Sequence, residues 1–150
     1  MKVSVSGKNE ILSKKHIRFI VKLFGEIILS PQMNKNIYVK ICNVKLNNTT
    51  WGYCGPSDPE EKKPRTFEIL LNPKLSKTNQ IRTLAHEMMH LKQMSCGEFK
   101  IYDNGNYKWN GEILKEEDVN YYEAPWEKEA ILNEDFLLKE YKKSVKGMIL

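Results

Sequence analysis

Two of the three histidines in the chain, His86 and His90, stand four residues apart, with Glu87 directly after the first. Residues with this spacing share one face of a helix, so both imidazoles can bind the same metal ion. Zinc (Zn2+) is the expected ion, because it commonly takes two or three nitrogen or oxygen ligands from a protein together with one water. The pattern therefore predicts a zinc site with His86 and His90 as ligands and Glu87 as the acceptor of a proton from the bound water.

The residues around this motif favour a helix. Good helix formers lead into it over residues 80–85, and Ser76, Thr78 or Asn79 is expected to cap the helix. Apolar residues recur at helical spacing, namely Ile81, Leu84, Ala85, Met88 and Leu91. The alternative is a pair of surface histidines that match the motif by chance. A half-buried helix would leave such a pair without a partner, which favours metal binding.

Length and composition are typical of one globular domain over residues 1–150, with 41% hydrophobic and 29% charged residues. No apolar run approaches the ~20 residues of a membrane span. Residues 1–15 lack the apolar segment of a signal peptide, so we expect a cytoplasmic protein. The cysteines, Cys42, Cys54 and Cys96, are too few for a disulfide framework and are expected to be reduced, with Cys54 the candidate for exposure.

The net charge of +5 would suit a nucleic-acid or acidic partner. The lysines are spread through the whole chain, however, which is typical of a solvated surface. We therefore expect any nucleic-acid binding to be weak and non-specific, and to fall steeply as salt rises.

The elements that must position the motif follow from the apolar pattern. Ser13 is predicted to cap a first helix that ends before Ser30-Pro31, with Ile17, Ile20, Val21, Phe24, Ile27 and Ile28 on one face. Residues 37–46 and 66–71 are predicted to be strands, separated by a loop over residues 47–65. Residues 98–109 are predicted to form a β-hairpin that turns at Asn104-Gly105 and places Tyr102 opposite Tyr107. That aromatic face could be cross-strand packing or a flap near the site.

A third zinc ligand is expected, because two histidines rarely hold a catalytic zinc alone. The last helix, predicted from Pro125 to Ser144, carries Glu127 and Glu129 in its first turn and a half. At about 100° per residue, Glu127 points into the apolar stripe of this helix and Glu129 points away from it. The stripe consists of Trp126, Ala130, Ile131, Leu137, Leu138, Tyr141 and Val145, and Glu134 falls in it two turns further along. A carboxylate in such a stripe is costly unless it is paired or bound to metal, which favours Glu127 as the ligand. The alternative is that Glu127 is favoured only by the helix dipole.

At this point the chain resembles a gluzincin-type zinc metallopeptidase. The resemblance rests on His86-Glu87-x-x-His90 followed by a helix with Glu127-x-x-Ala130, since gluzincins commonly carry their third ligand in E-x-x-(small)-(Asp/Asn). Ile131 departs from the Asp or Asn of this pattern, so the contact made by that residue is absent or supplied elsewhere. Glu129, which has Asn133 four residues on, therefore remains an alternative ligand.

The order of elements is similar to that of small SprT-like proteins and phage-encoded metallopeptidase-like proteins, and more distantly to the ImmA/IrrE group. The similarity covers Thr66 to Tyr141. It implies a zincin-like α+β fold with an N-terminal helix, a small β-sheet with an edge strand, the H-E-x-x-H helix, a β-hairpin and a C-terminal ligand helix. SprT-like proteins often carry a zinc ribbon and bind DNA, but this chain lacks the cysteines for that ribbon.

The leading hypothesis is a zinc-dependent endopeptidase that acts on a peptide or protein substrate. Glu87 would take the proton of the zinc-activated water and pass it to the leaving amine. Tyr121 and Tyr122 are candidate donors to the oxyanion. The strand over residues 66–71 could pair with an extended substrate.

Two other functions compete with this one. The first is a non-catalytic, zinc-stabilised module that binds a protein or nucleic acid, although a scaffold would not need Glu87 as a general base. The second is a protease that acts on DNA-bound proteins, which would require the basic residues to cluster on one face. Their spacing does not show such clustering.

Overall fold

The computed structural model describes residues 1–47 and 49–146, which form an α+β structure with two β-sheets and four α-helices. In chain order the elements are β1 (Lys2–Ser6), α1 (Lys14–Ile28), α2 (Pro31–Lys35), β2 (Tyr38–Asn43), β3 (Gly52–Pro56), β4 (Thr66–Leu71), α3 (Lys77–Ser95), β5 (Phe99–Ile101), β6 (Tyr107–Trp109), β7 (Glu112–Leu114) and α4 (Pro125–Val145). Two single-turn 3-10 helices, Glu116–Asp118 and Tyr121–Glu123, precede α4. Within the described part of the chain, no helix is long and apolar enough to cross a bilayer.

The larger sheet has the strand order β1-β2-β4-β3, with β1, β2 and β4 parallel and β3 antiparallel to β4. β4 has the predicted bounds, and its alternate residues Phe67, Ile69 and Leu71 are fully buried. The prediction that β4 could pair with a substrate is wrong, because its backbone groups already pair with β2 on one side and β3 on the other. The strand at this edge of the sheet is β3.

β3 lies within residues 47–65, which the sequence assigns to a loop. Gly52, Gly55 and Pro56 all disfavour strands, but pairing with β4 overrides these local preferences. Cys54 is buried in this strand, so its predicted exposure is wrong. β1 is a second strand that the sequence analysis does not predict, and β2 is shorter than the predicted strand over residues 37–46.

α1 begins after Ser13, whose hydroxyl accepts the His16 amide at 3.0 Å, as predicted. The predicted apolar face lies in the core, with Ile17, Ile20, Val21 and Phe24 fully buried. The helix ends before Ser30, and Ser30 caps α2, which the sequence analysis does not predict. Proline fits the first position of a helix, so Pro31 both limits α1 and starts α2. His16 has a structural role and hydrogen-bonds with the hydroxyl of Tyr141 at 2.7 Å.

α3 is the central helix of the fold. Of the three predicted caps, Ser76 is the one whose hydroxyl accepts a backbone amide, that of Asn79. The helix contacts β3, β4, β5, α1 and α4. Because neighbours surround it, the predicted apolar residues are all buried, namely Ile81, Leu84, Ala85, Met88 and Leu91. The H-E-x-x-H segment therefore lies on a helix that other elements pack against on several sides, rather than on a helix at the surface.

The predicted hairpin forms, but its register differs by one residue. The amide of Gly105 donates to the carbonyl of Tyr102, and Gly105 has a φ of +87°, so the loop has three residues instead of two. Ile101 consequently pairs with Tyr107, and the predicted pairing of Tyr102 with Tyr107 is wrong. The two-residue turn occurs instead at Asn110-Gly111, where φ is +48° and +88°. It joins β6 to β7, a third strand that the sequence analysis does not predict.

The small sheet holds the beginning of α4 through aromatic contacts. The Trp126 ring lies 4.6 Å from that of Phe99, 4.7 Å from that of Tyr107 and 6.1 Å from that of Trp109, measured between centroids. The aromatic face of the hairpin is thus packed inward against α4. Because Glu127 follows Trp126, this cluster fixes the position of the carboxylate relative to α3.

α4 begins at Pro125, as predicted, and ends at Val145. The predicted stripe is largely confirmed, with Trp126, Ala130, Leu137, Leu138 and Tyr141 buried. Ile131 is the exception, with 52% of its surface exposed. It lies at the margin of the stripe, where the helix leaves the core and borders an open cleft beside His86.

Candidate metal centre

Three potential metal ligands converge between α3 and α4. The Nε2 atoms of His86 and His90 are 3.2 Å apart, and each faces one oxygen of the Glu127 carboxylate, at 3.0 and 2.9 Å. The three ligand atoms all lie within 4.8 Å of one another. In a tetrahedral zinc site with bonds of ~2.0–2.1 Å, ligand atoms are separated by about 3.4 Å. The donor atoms therefore fit such an ion after adjustments of a few tenths of an ångström.

The other nitrogen of each imidazole has an acceptor of its own. His86 Nδ1 lies 3.0 Å from Glu134 Oε2, and His90 Nδ1 lies 2.8 Å from Gln93 Oε1. Gln93 Nε2 donates to the carbonyl of Trp126 at 3.0 Å, which fixes the amide oxygen as the atom that faces His90. Both histidines therefore donate through Nδ1 and direct Nε2 towards Glu127. Metal-binding histidines are commonly oriented by acceptors in this way.

Glu127 and Glu129 have different partners, although only one residue separates them. Glu127 is 6% exposed and contacts both histidines. Glu129 lies behind Gln93 and accepts its amide at 3.2 Å, so the structure does not bring Glu129 to the cluster. Asn133 is turned to the backbone of Glu129 and contacts neither histidine. Of the two alternatives left open by the sequence, Glu127 is the one with ligand geometry.

Glu134, rather than the residue at position 131, provides the acceptor behind His86. Glu134 lies seven residues after Glu127 on α4. Residues seven apart return to the same helix face, so both carboxylates reach His86. Arg82 on α3 holds Glu134 at 3.2 Å and Asp135 at 2.8 Å. Glu134 falls in the predicted stripe, but its contact with His86 depends on how α3 and α4 pack, which the sequence alone does not show. Gln93 was also missed, and the signal for it is its spacing of three residues from His90 on one helix.

The contacts within the cluster shift the pKa values of its members. Burial lowers the pKa of His86, but hydrogen bonds to Glu127 and Glu134 outweigh burial and raise this pKa to about 10. Burial opposes the ionised form of Glu127 too, yet both imidazoles lower the pKa of Glu127 to about 2. The pKa of His90 is raised in the same way. Without metal, the protonated Nε2 atoms thus donate hydrogen bonds to the Glu127 carboxylate, and a divalent cation would displace those protons.

Glu87 follows His86 on α3 and is 8% exposed. Burial raises the pKa of the Glu87 carboxyl, and the two histidines partly offset that effect. β3 passes close to it, since a Cβ atom added at Gly52 would lie 2.6 Å from Thr83 Cγ2 and 3.5 Å from Glu87 Cγ. A glycine at position 52 is therefore required for β3 to approach α3 this closely.

The ligands lie at the junction of two pockets. The outer pocket, of about 670 Å³, contains His86 together with residues 49–52, Arg82 and Ile131 in its lining. The inner pocket, of about 160 Å³, contains His90 in its lining. Gly52, Glu87, Tyr121 and Glu127 line both pockets. The potential metal position is thus open to a molecule that extends across the junction.

Of the two candidate tyrosines, Tyr121 borders both pockets, whereas Tyr122 is 84% exposed and borders only the outer one. Although 63% of the surface of Tyr121 is exposed, partial desolvation of its hydroxyl and the nearby charges of Glu127 and Glu87 raise the pKa of Tyr121 to about 12. The Tyr121 hydroxyl therefore keeps its proton at neutral pH and can donate a hydrogen bond beside the metal position.

Comparison of the chain with known protein families, with characterised proteins and with solved structures finds no significant match.

Proposed function

We propose that this chain is a zinc-dependent endopeptidase with a zincin-like fold. The observation that carries the proposal is the convergence of His86, His90 and Glu127 beside the buried carboxylate of Glu87, at the junction of two open pockets. Two imidazoles and one carboxylate are a ligand set typical of catalytic zinc, which keeps one position for water. A purely structural zinc site would be closed by a fourth protein ligand.

Bound zinc would supply Lewis-acid chemistry, lowering the pKa of a water and polarising the carbonyl of the scissile bond. Glu87 accepts the proton of the attacking water and then donates it to the amine that leaves. A carboxyl whose pKa is raised towards neutral can perform both steps. The hydroxyl of Tyr121 donates a hydrogen bond to the oxygen on which negative charge develops. His86 and His90 keep their orientation through Glu134 and Gln93 during these steps.

β3 is the strand on which an extended substrate would lie. It pairs with β4 along one side, and Gly52 and Cys54 border the inner pocket beside Glu87. Addition of a strand to such an edge supplies main-chain hydrogen bonds that do not depend on the substrate sequence.

The general base offers the sharpest test of this function. Glu87→Gln should fold and retain about one zinc per chain, but should lose peptide hydrolysis by at least ~100-fold because an amide cannot accept the proton. The measurement is cleavage of an unfolded protein substrate by wild type and variant, with zinc content and circular dichroism recorded for both. A chelator should stop the wild type, and added zinc should restore it.

Hydrolysis by Glu87→Gln at the wild-type rate would exclude the proposed mechanism. Zinc binding by a wild-type protein that cleaves none of a broad set of substrates would instead favour the non-catalytic, zinc-stabilised module.

A further inference from the structure

We infer that the site selects peptides with a medium-sized apolar side chain immediately before the bond that is cut. The inference rests on the proposed peptidase function and concerns the inner pocket. It combines the direction of β3, the position of the ligands between the two pockets and the chemistry of the pocket lining.

The backbone of β3 directs hydrogen-bonding groups away from β4 at alternate residues. The amide of Asn72 donates to the carbonyl of Trp51 at 3.0 Å, and the amide of Ser57 donates to the carbonyl of Thr66 at 2.9 Å. Residues 51 and 57 therefore direct their backbone groups towards β4. Because this direction alternates along an antiparallel strand, Gly52 and Cys54 direct theirs away from β4.

The direction of β3 then sets the direction of a bound peptide. β3 runs from Gly52, beside Glu87, to Pro56, beside Lys100 and Tyr102. Antiparallel pairs are both more common than parallel pairs and slightly more stable per residue. An antiparallel peptide would enter along Pro56 and Cys54 and leave past Gly52.

The two histidines mark where the peptide bond would lie. His90 borders the inner pocket, whereas His86 borders the outer pocket next to residues 49–52. Glu87 and Glu127 border both, so the scissile carbonyl lies at the junction. The residue before the scissile bond therefore faces the inner pocket, and the residue after it faces the outer pocket.

The inner pocket is apolar away from its metal end. Its lining includes Cys54, Met94, Phe99, Ile101 and Trp126, and it contains no lysine or arginine. Cavities of roughly 150 Å³ with apolar walls accept a group the size of benzene. With about 160 Å³, the pocket is matched to a side chain such as Leu, Met or Phe.

A further pocket of about 290 Å³, lined by Gly55 and Pro56 among others, adjoins the inner pocket. Tyr53, Cys54, Met94 and Ile101 line both of these pockets. Several residues of substrate can therefore precede the apolar one. This continuity fits cleavage within a chain rather than removal of a single N-terminal residue.

Digestion of a randomised peptide library by the zinc-loaded protein tests the inference, with both new termini of each product identified by mass spectrometry. We expect Leu, Met and Phe to be enriched at the residue before the cut. Replacing that residue by Asp in the best peptide should lower kcat/KM by at least ~10-fold.

A charge placed in the pocket provides the matched variant. Ile101→Glu changes a side chain that is 52% exposed, so folding should tolerate it, and the new carboxylate should shift the preference before the cut towards Lys and Arg. Ile113→Glu is the control, because Ile113 is 55% exposed on the same small sheet but lies outside the pocket lining. The control should keep the apolar preference.

The outcomes separate the two claims. Cleavage without a preference at the preceding residue, or with a preference that Ile101→Glu leaves unchanged, overturns this inference and leaves the peptidase function standing. Failure of the zinc-loaded protein to cleave any member of the library overturns the proposed function and this inference with it.

Discussion

At the scale of single residues, the site depends on which side chain lies behind each ligand. Gln93 behind His90 and Glu134 behind His86 contact the Nδ1 atoms, so that both Nε2 atoms face Glu127. The spacing of residues 86–90 was enough to predict that the two histidines share one site, because that spacing is a property of one helix. The stripe argument was enough to favour Glu127 over Glu129. Gln93 and Glu134 could not be predicted as partners, since their contacts depend on how α3 and α4 pack.

Replacing each of the two neighbouring glutamates in turn tests the third ligand. Glu127→Ala should lower zinc affinity strongly and also lower the free energy of unfolding in the presence of zinc, because bound metal stabilises the folded state. Glu129→Ala is the matched control and should change both quantities little. Zinc titration and urea denaturation of the two variants provide the measurement. Loss of zinc only in Glu129→Ala would show that the carboxylate has been wrongly assigned.

The role of Glu134 can be separated from its ion pair with Arg82. Removing an acceptor behind a metal-binding histidine typically costs ~10–100-fold in metal affinity or activity. We expect Glu134→Ala to show a loss in this range, measured by competition with a chromogenic chelator. Asp135→Ala removes the shorter contact to Arg82 but no contact to His86, and should bind zinc like the wild type. Equal losses in the two variants would assign the effect to Arg82 instead.

At the scale of elements, the units with a clear apolar period, cap or turn signal could be predicted, and the strands β1, β3 and β7 could not. α1, α4 and β4 carry a clear apolar period or cap, and their bounds agree with the predicted ones to within a residue or two. α3 begins after Ser76, one of its three predicted caps. β1, β3 and β7 have three to five residues each, and β3 contains two glycines and a proline. Such strands form because a neighbour pairs with them, which is information that the local sequence does not contain.

The close approach of β3 to α3 yields a prediction for Gly52. Gly52→Ala forces a methyl group against Thr83 and the backbone oxygen of Leu70, which should cost ~1–3 kcal/mol of unfolding free energy and lower peptide hydrolysis. Gly111→Ala is the control. Its position is strained by a φ of +88° but has no neighbour within 4 Å, so it should lose stability without losing hydrolysis per folded molecule.

Urea denaturation and a hydrolysis assay on both glycine variants separate the two effects. Wild-type hydrolysis by Gly52→Ala would show that the position of β3 does not matter to the reaction.

At the scale of the whole molecule, the metal centre should couple stability to pH. In the metal-free protein the pKa of His86 is raised from 6.5 to about 10, so the stabilisation from its proton is complete below pH 6.5 and is lost as the pH rises towards 10. The pKa of Glu127 is lowered from 4.5 to about 2, so its contribution is present above pH 4.5 and is lost as the pH falls towards 2. The raised pKa of Glu87 acts against stability once the pH exceeds 4.5.

Together these shifts predict that metal-free protein loses stability between pH 6.5 and 10. Zinc should stabilise the protein more as the pH rises through the same interval, because fewer protons then compete for the imidazoles. Urea denaturation at several pH values, with chelator and with excess zinc, measures both trends. A zinc-dependent gain that shrinks as the pH rises would contradict the proposed ligand set.

The two helices that carry the candidate ligands contribute residues far apart in the chain, with 36 residues between His90 and Glu127. A bound ion would join the ends of that segment and act as a non-covalent cross-link around the small sheet. Cross-links that close long loops restrict the unfolded chain most, since the entropy of closing a loop grows with its length. The ion would thus make the local unfolding of α4 and the small sheet cooperative with that of α3. The same ion that supplies the proposed chemistry would also stabilise the packed arrangement of these elements.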